Sequence, residues 1–159
     1  MKNLTFFLTA GWLLSACSGG TQTEQASEAP QEQEVELVKM SEEETKLMAV
    51  GEKVYGQNCI ACHQADGYGV PGVFPPLAQT EWVSGDNTRL ISVVLNGLQG
   101  EITVNGEIYN NAMTAHNFLS DEEVAGVLTY VRQSFGNDSE PISVEEVAEV
   151  RASSAEEGA

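Results

Sequence analysis

Five consecutive residues, Cys59-Ile60-Ala61-Cys62-His63, restrict what this chain can fold into more than any other feature. A C-x-x-C-H run lets each thiol form a thioether with one vinyl group of a c-type haem, and holds the following histidine under the iron as an axial ligand. Such a chain must wrap an apolar pocket around a large planar group. Other uses of the cysteine pair fit less well. A dithiol redox motif expects strands and helices in alternation around it, and none alternate here. A structural zinc site needs four ligands. Beyond the pair, the region after the N-terminal segment offers only His63 and His116 of the usual nitrogen and sulfur kind, with His63 crowded against Cys62.

The N-terminus predicts export. Lys2 is followed by an apolar run over residues 4–14 that is too short to span a bilayer permanently. It ends in Leu14-Ser15-Ala16-Cys17, which resembles a bacterial lipoprotein signal in which the cysteine thiol takes a lipid. The expectation is a signal peptide over residues 1–16 and a lipid anchor on Cys17. This accounts for an odd cysteine count, three in all: two for haem, one for lipid and none for a disulfide. Several acyl chains on one cysteine anchor stably where one would be marginal. The expected location is exported and membrane-anchored, facing the periplasm or extracytoplasmic space.

A formal charge of −17 on 159 residues repels nucleic acid and anionic headgroups, so no nucleic-acid partner is expected. Protein partners should be basic near the contact, or meet an apolar surface around the haem edge. Residues 17–40 form the lipid-anchor cysteine and an acidic linker without periodic apolar residues until Val35, expected to be disordered. A flexible linker of that length has an r.m.s. span of roughly 25–30 Å.

Residues 41–136 carry the pattern of one domain, and residues 137–159 an acidic tail with one possible short helix. Ser41-Glu42-Glu43-Glu44 is a capping box ahead of Leu47, Val50, Gly51, Val54 and Tyr55 at helical spacing. A Gly- and Pro-rich loop follows the haem motif. Asp86 caps a second helix that stops at Gly97. Ile102-Thr103-Val104 and Glu107-Ile108-Tyr109 flank Asn105-Gly106, a tight-hairpin signal. Ser120-Asp121-Glu122-Glu123 opens a helix with Val124, Val127, Leu128 and Val131 on one face, ending before Gly136. Ser143-Val144-Glu145-Glu146 caps the tail helix, with Val144, Val147 and Ala148 on a weak apolar face.

In this order the segments over residues 41–136 resemble a class I monohaem bacterial cytochrome c. The resemblance implies an all-α cytochrome c fold of about four helices around one covalently bound haem c, with a small β-hairpin before a methionine loop. It implies that Gly51 and Tyr55 of the first helix cross Val127 and Tyr130 of the last. It assigns Pro76 as the carbonyl that accepts from the His63 ring and Leu77 as a residue packed on the haem. It assigns Met113 as the distal iron ligand, although Thr114 stands where relatives often carry proline. His116, three residues on, is the rival ligand and would lower the potential. Trp82 and Tyr109 are candidates for the pocket wall, and Arg89 for a propionate partner.

With His63 and Met113 on the iron no position is left for substrate. The implied function is then electron carriage by Fe(II)/Fe(III) cycling, not catalysis, between a quinol-oxidising complex or dehydrogenase as donor and a terminal oxidase or reductase as acceptor. Two alternatives stand beside it: a haem subunit of a larger oxidoreductase, and a gas- or peroxide-reactive haem protein if the sixth ligand is labile.

Overall fold

The structure, a computed structural model, describes residues 41–157. The expected signal peptide, the Cys17 anchor and the linker to residue 40 lie outside the described residues. Seven elements follow in order: α1 (Glu42–Asn58), α2 (Ile60–His63), α3 (Asn87–Asn96), β1 (Ile102–Val104), β2 (Glu107–Tyr109), α4 (Asp121–Gln133) and α5 (Val144–Glu157).

Local chemistry sets the starts. The Ser41 hydroxyl accepts from the Glu44 N–H at 3.1 Å while the Glu44 carboxylate accepts from the Ser41 N–H at 2.7 Å. Ser120 and Glu123 repeat the exchange at 3.2 and 2.9 Å, and Ser143 and Glu146 at 3.2 and 2.8 Å. Asp86 caps α3 by accepting from the Arg89 N–H at 2.7 Å. Asn105 and Gly106 take φ of 48° and 81°, the two positive angles that a type I′ turn requires. The turn pairs Ile102 with Tyr109 and Val104 with Glu107.

Helices α1 and α4 cross backbone to backbone. A Cβ on Gly51 would run into the Gly126 carbonyl and lie 2.7 Å from the Tyr130 Cβ, so only glycine allows the approach. Tyr130 stands at the crossing as expected, its ring 5.5 Å from that of Tyr55, and Phe135 packs against both at 5.6 and 5.2 Å. The counterpart of Gly51 on α4 is Gly126, which apolar periodicity passes over; buried Val127 faces the central cavity.

The core does not end at Gly136, where the sequence pattern ends the domain. Helix α5 runs for 14 residues and packs on α3 and α4, with Val147 fully buried and Val150 nearly so, and Ile142 just ahead of the helix is fully buried too. The cause is tertiary. The Thr129 hydroxyl donates to the Ile142 carbonyl at 3.3 Å and accepts from its N–H at 3.1 Å. The buried Arg132 guanidinium donates to the carbonyls of Glu140 (2.6 Å) and Val83 (2.8 Å). These bonds satisfy polar groups that would otherwise be costly to bury, and they lead the chain back over the core. Among the described residues no helix is long and apolar enough to cross a membrane.

Candidate functional site

Helix α1 runs almost directly into α2. The Cys59 N–H donates to the Tyr55 carbonyl, and the N–H groups of Cys62 and His63 donate to the Cys59 carbonyl at 3.1 and 2.9 Å. Residues three and four apart share a helix face, so Cys59, Cys62 and His63 turn to one side. Gln64 then breaks the helix at φ 63°, and the Tyr55 hydroxyl holds its carbonyl at 2.6 Å. Burial pushes the Tyr55 phenol well above its ordinary pKa, which keeps it a donor.

The three motif side chains line an apolar cavity of about 210 Å³. Its walls come from α3 (Leu90, Val93, Val94), α4 (Val127, Leu128, Val131), the hairpin (Ile102, Val104, Tyr109) and the loop holding Phe74, Pro75, Pro76 and Leu77. Met113 and His116 open on the same cavity. No carboxylate, lysine or arginine is among its lining residues.

The His63 Nδ1–H donates to a proline carbonyl at 3.1 Å, but the acceptor is Pro75 and not the expected Pro76. The loop geometry explains the shift. The N–H groups of Leu77 and Ala78 both donate to the Gly67 carbonyl, at 2.7 and 3.1 Å, and tie the residues after Pro76 to that point. Gly69, at φ 63°, presses on the Pro75 carbonyl with no Cβ to keep it away, and that carbonyl meets the ring. Pro76 and Leu77 remain in the cavity wall. Because a carbonyl only accepts, the Nδ1 atom carries the proton, and Nε2 presents its lone pair. Burial pulls His63 below its ordinary pKa; the Pro75 bond opposes this and nearby His116 adds to it. The neutral imidazole is the ligand form. Both thiols are free, and burial, with Cys62 beside it, pushes Cys59 up to about 11.

Met113 reaches the cavity from a loop that is pinned by backbone. It exchanges two hydrogen bonds with Leu98, at 2.8 and 3.1 Å. Gly97, at φ 74°, gives the loop room: a Cβ there would lie 2.5 Å from the Met113 carbonyl oxygen. His116 is half-buried. Its N–H donates to the Val94 carbonyl at 2.9 Å, its ring lies 5.8 Å from that of Phe118, and its buried Nδ1 has no partner. Trp82 and Tyr109 line the cavity as expected, with their polar ends occupied by the Thr103 carbonyl (2.8 Å) and the Glu107 carboxylate (2.9 Å). Arg89 instead stacks on Trp82 at 4.4 Å and donates to the carbonyls of Glu81 and Trp82.

Two free thiols, an imidazole of fixed tautomer, a thioether and neutral walls suit a large apolar group carrying a soft metal, and not a hard cation bound through oxygen. Such a donor set inside a small helical shell defines a protein built to enclose one haem. The chain belongs to the cytochrome c family, whose pattern it matches over residues 48–135. It is 42% identical over 113 residues to a cytochrome c-552 of Thermus thermophilus, covering 65% of this chain and 86% of the relative. It is 35% identical over 113 residues to the cytochrome c subunit of alcohol dehydrogenase (quinone) from Gluconobacter oxydans, covering 66% of this chain and 22% of that subunit. It is 31% identical over 86 residues to subunit CcoP of a cbb3-type cytochrome c oxidase from Rubrivivax gelatinosus, covering 54% of this chain and 25% of that one. The family carries covalently bound haem c, and a single haem is consistent with a domain of this size. The chain is thus an electron-transfer protein of the cytochrome c family.

Proposed function

We propose that this protein is a membrane-anchored monohaem carrier that moves single electrons from a quinol-oxidising complex or a dehydrogenase to a terminal oxidase or reductase. The observation that carries the reading is the convergence of Cys59, Cys62, His63 and Met113 on one apolar cavity. When bound, the haem supplies the Fe(II)/Fe(III) couple. Cys59 and Cys62 would hold it covalently, and the Nε2 of His63 and the thioether of Met113 would ligate its iron. The Pro75 carbonyl keeps the His63 ring from turning and raises the basicity of Nε2. The apolar walls exclude water, and together with a sulfur ligand they favour the reduced, less charged iron and a positive potential. With both side chains on the iron, no position would be left for substrate.

Anchoring through lipidated Cys17 supports exposure to the periplasm or extracytoplasmic space, and the tether would concentrate the domain near membrane partners. The carrier reading draws on the likeness to cytochrome c-552 along most of that protein's length. A subunit role draws on the likeness to the dehydrogenase and oxidase subunits. One observation favours a second distal ligand, His116, whose buried Nδ1 is unpartnered in the same cavity.

Visible spectra of the mature protein, oxidised and reduced, with and without carbon monoxide, test the site. A sulfur-to-iron charge-transfer band when oxidised and a reduced spectrum indifferent to carbon monoxide are expected. A missing band with a carbon monoxide-indifferent spectrum would move the ligand to His116; rapid carbon monoxide binding would replace the carrier with a gas- or peroxide-reactive protein. Partition of the full chain and a Cys17→Ser variant between membrane and soluble fractions tests the anchor, with release expected only for the variant.

A further inference from the structure

Helix α5 lies beyond the residues matched by the family pattern, which end at 135. Its Arg151 makes three hydrogen bonds to the segment that leaves the methionine loop. Nε donates to the Asp121 carboxylate at 2.7 Å, one terminal nitrogen to the Asn117 carbonyl at 3.0 Å, and the other to the Leu119 carbonyl at 2.7 Å. One guanidinium thus ties together two residues of the loop and the first residue of α4. Its rigid planar fork suits that task, and a lysine ammonium could not span the three acceptors.

The loop needs such a hold. Its upstream half is fastened by the Leu98–Met113 bridge and by the His116 N–H on Val94. After Met113 stands Thr114, a residue free to rotate about φ, so the loop has no covalent stiffener there. Downstream, the Leu119 side chain is buried and lines the cavity, and the carbonyl of that residue is what Arg151 grips. Helix α5 is itself secured by buried Val147 and Val150, and Ser154 accepts from Asn96 at the end of α3 at 3.2 Å, one residue before Gly97. The strap therefore reaches both ends of the loop's support.

We infer that Arg151 is a positioning residue for the distal ligand: by locking residues 117–121 to α5 it sets how often Met113 leaves the iron. The inference rests on Met113 as ligand. Arg151 touches neither the haem nor the thioether; it acts through the loop.

The test is a titration of the oxidised holoprotein with imidazole, a small ligand that binds only when Met113 is displaced. Apparent affinity scales with the fraction of molecules in which the position is open. Arg151→Ala should tighten apparent imidazole binding between about twofold and tenfold for each hydrogen bond whose loss loosens the loop. It should also speed amide exchange at His116 and Leu119. Arg151→Lys should fall between Arg151→Ala and the native protein. Ile91→Val, a core change away from the loop, controls for general loosening. It should lower the unfolding midpoint without altering imidazole binding. Equal imidazole affinity in Arg151→Ala and native protein, with the sulfur-to-iron band present in both, would overturn the role of Arg151 while leaving Met113 in place. So would a gain in Ile91→Val as large as in Arg151→Ala. Absence of the band from the native protein would overturn the Met113 assignment and the positioning role with it.

Discussion

His63 and Met113 open on the same cavity but are held by different kinds of structure. His63 is the last residue of a helical turn that also carries both cysteines, and its ring is fixed by a carbonyl 12 residues away. Met113 comes off a loop without regular structure, pinned to Leu98 through backbone and, further along, to a helix whose contacts lie 30 to 34 residues away. Local opening is cheapest where few buried contacts and long chain separations hold a segment. The proximal side is thus a fixed platform, and the distal side is the place where the site can open. The lesson is that a cavity walled from two sides is held least firmly on the side built from tertiary contacts.

The largest test removes each proposed ligand in turn. His63→Ala should abolish the six-coordinate spectrum and cut the yield of covalent haem, read by haem staining of denaturing gels. Met113→Ala should keep covalent haem, lose the charge-transfer band, lower the potential and bind carbon monoxide. Equal loss of covalent haem in both variants would break the comparison.

Next come two glycines, one on each side. Gly97→Ala puts a Cβ 2.5 Å from the Met113 carbonyl oxygen and 2.9 Å from the Ala115 nitrogen, at φ 74°. It should cost about 1–3 kcal/mol in denaturant unfolding and weaken the charge-transfer band before the fold is lost. Gly56, in the helix that leads to the haem motif, has open space where a Cβ would go. Gly56→Ala should instead add about 0.5–1 kcal/mol and leave the band unchanged.

The smallest effect concerns pH. The Ser143 N–H, with help from the Asn87 amide, holds the Glu146 carboxyl below its ordinary pKa. A depressed folded-state pKa stabilises above the ordinary carboxylate value of about 4.3, and the gain is lost as pH falls through the folded value. Because this carboxylate is only half-buried and still reached by solvent, Glu146→Gln should flatten the acid limb of unfolding free energy against pH by only a few tenths of a kcal/mol.

Several parts of this arrangement were readable from residue order. Capping boxes at Ser41 and Ser120, the Asp86 cap and the Asn105-Gly106 turn are interactions within four residues, and each stands where the pattern put it. Cys59, Cys62 and His63, named by the motif, and Pro76, Leu77 and Met113, named by the family resemblance, all line the one cavity. Three things were not readable. Pro75 and Pro76 are adjacent carbonyls, and only the Gly67 and Gly69 contacts decide which one meets His63. Apolar periodicity passes over Gly126, and only the approach of α1 gives it a role; a glycine on a buried helix face was the available signal. His116 gave no periodic signal and α5 only a capping box with a weak apolar face; that α5 docks on α3 and α4 depends on contacts to distant residues.

What the sequence determined by itself is therefore the chemistry of the proximal side and the start of each helix, since those depend on neighbours along the chain. The tertiary structure decided which carbonyl orients His63, how closely α1 and α4 approach, and that α5 closes over the methionine loop. Those outcomes depend on packing between segments far apart in sequence, where a difference of one residue or one missing Cβ changes which atoms can meet.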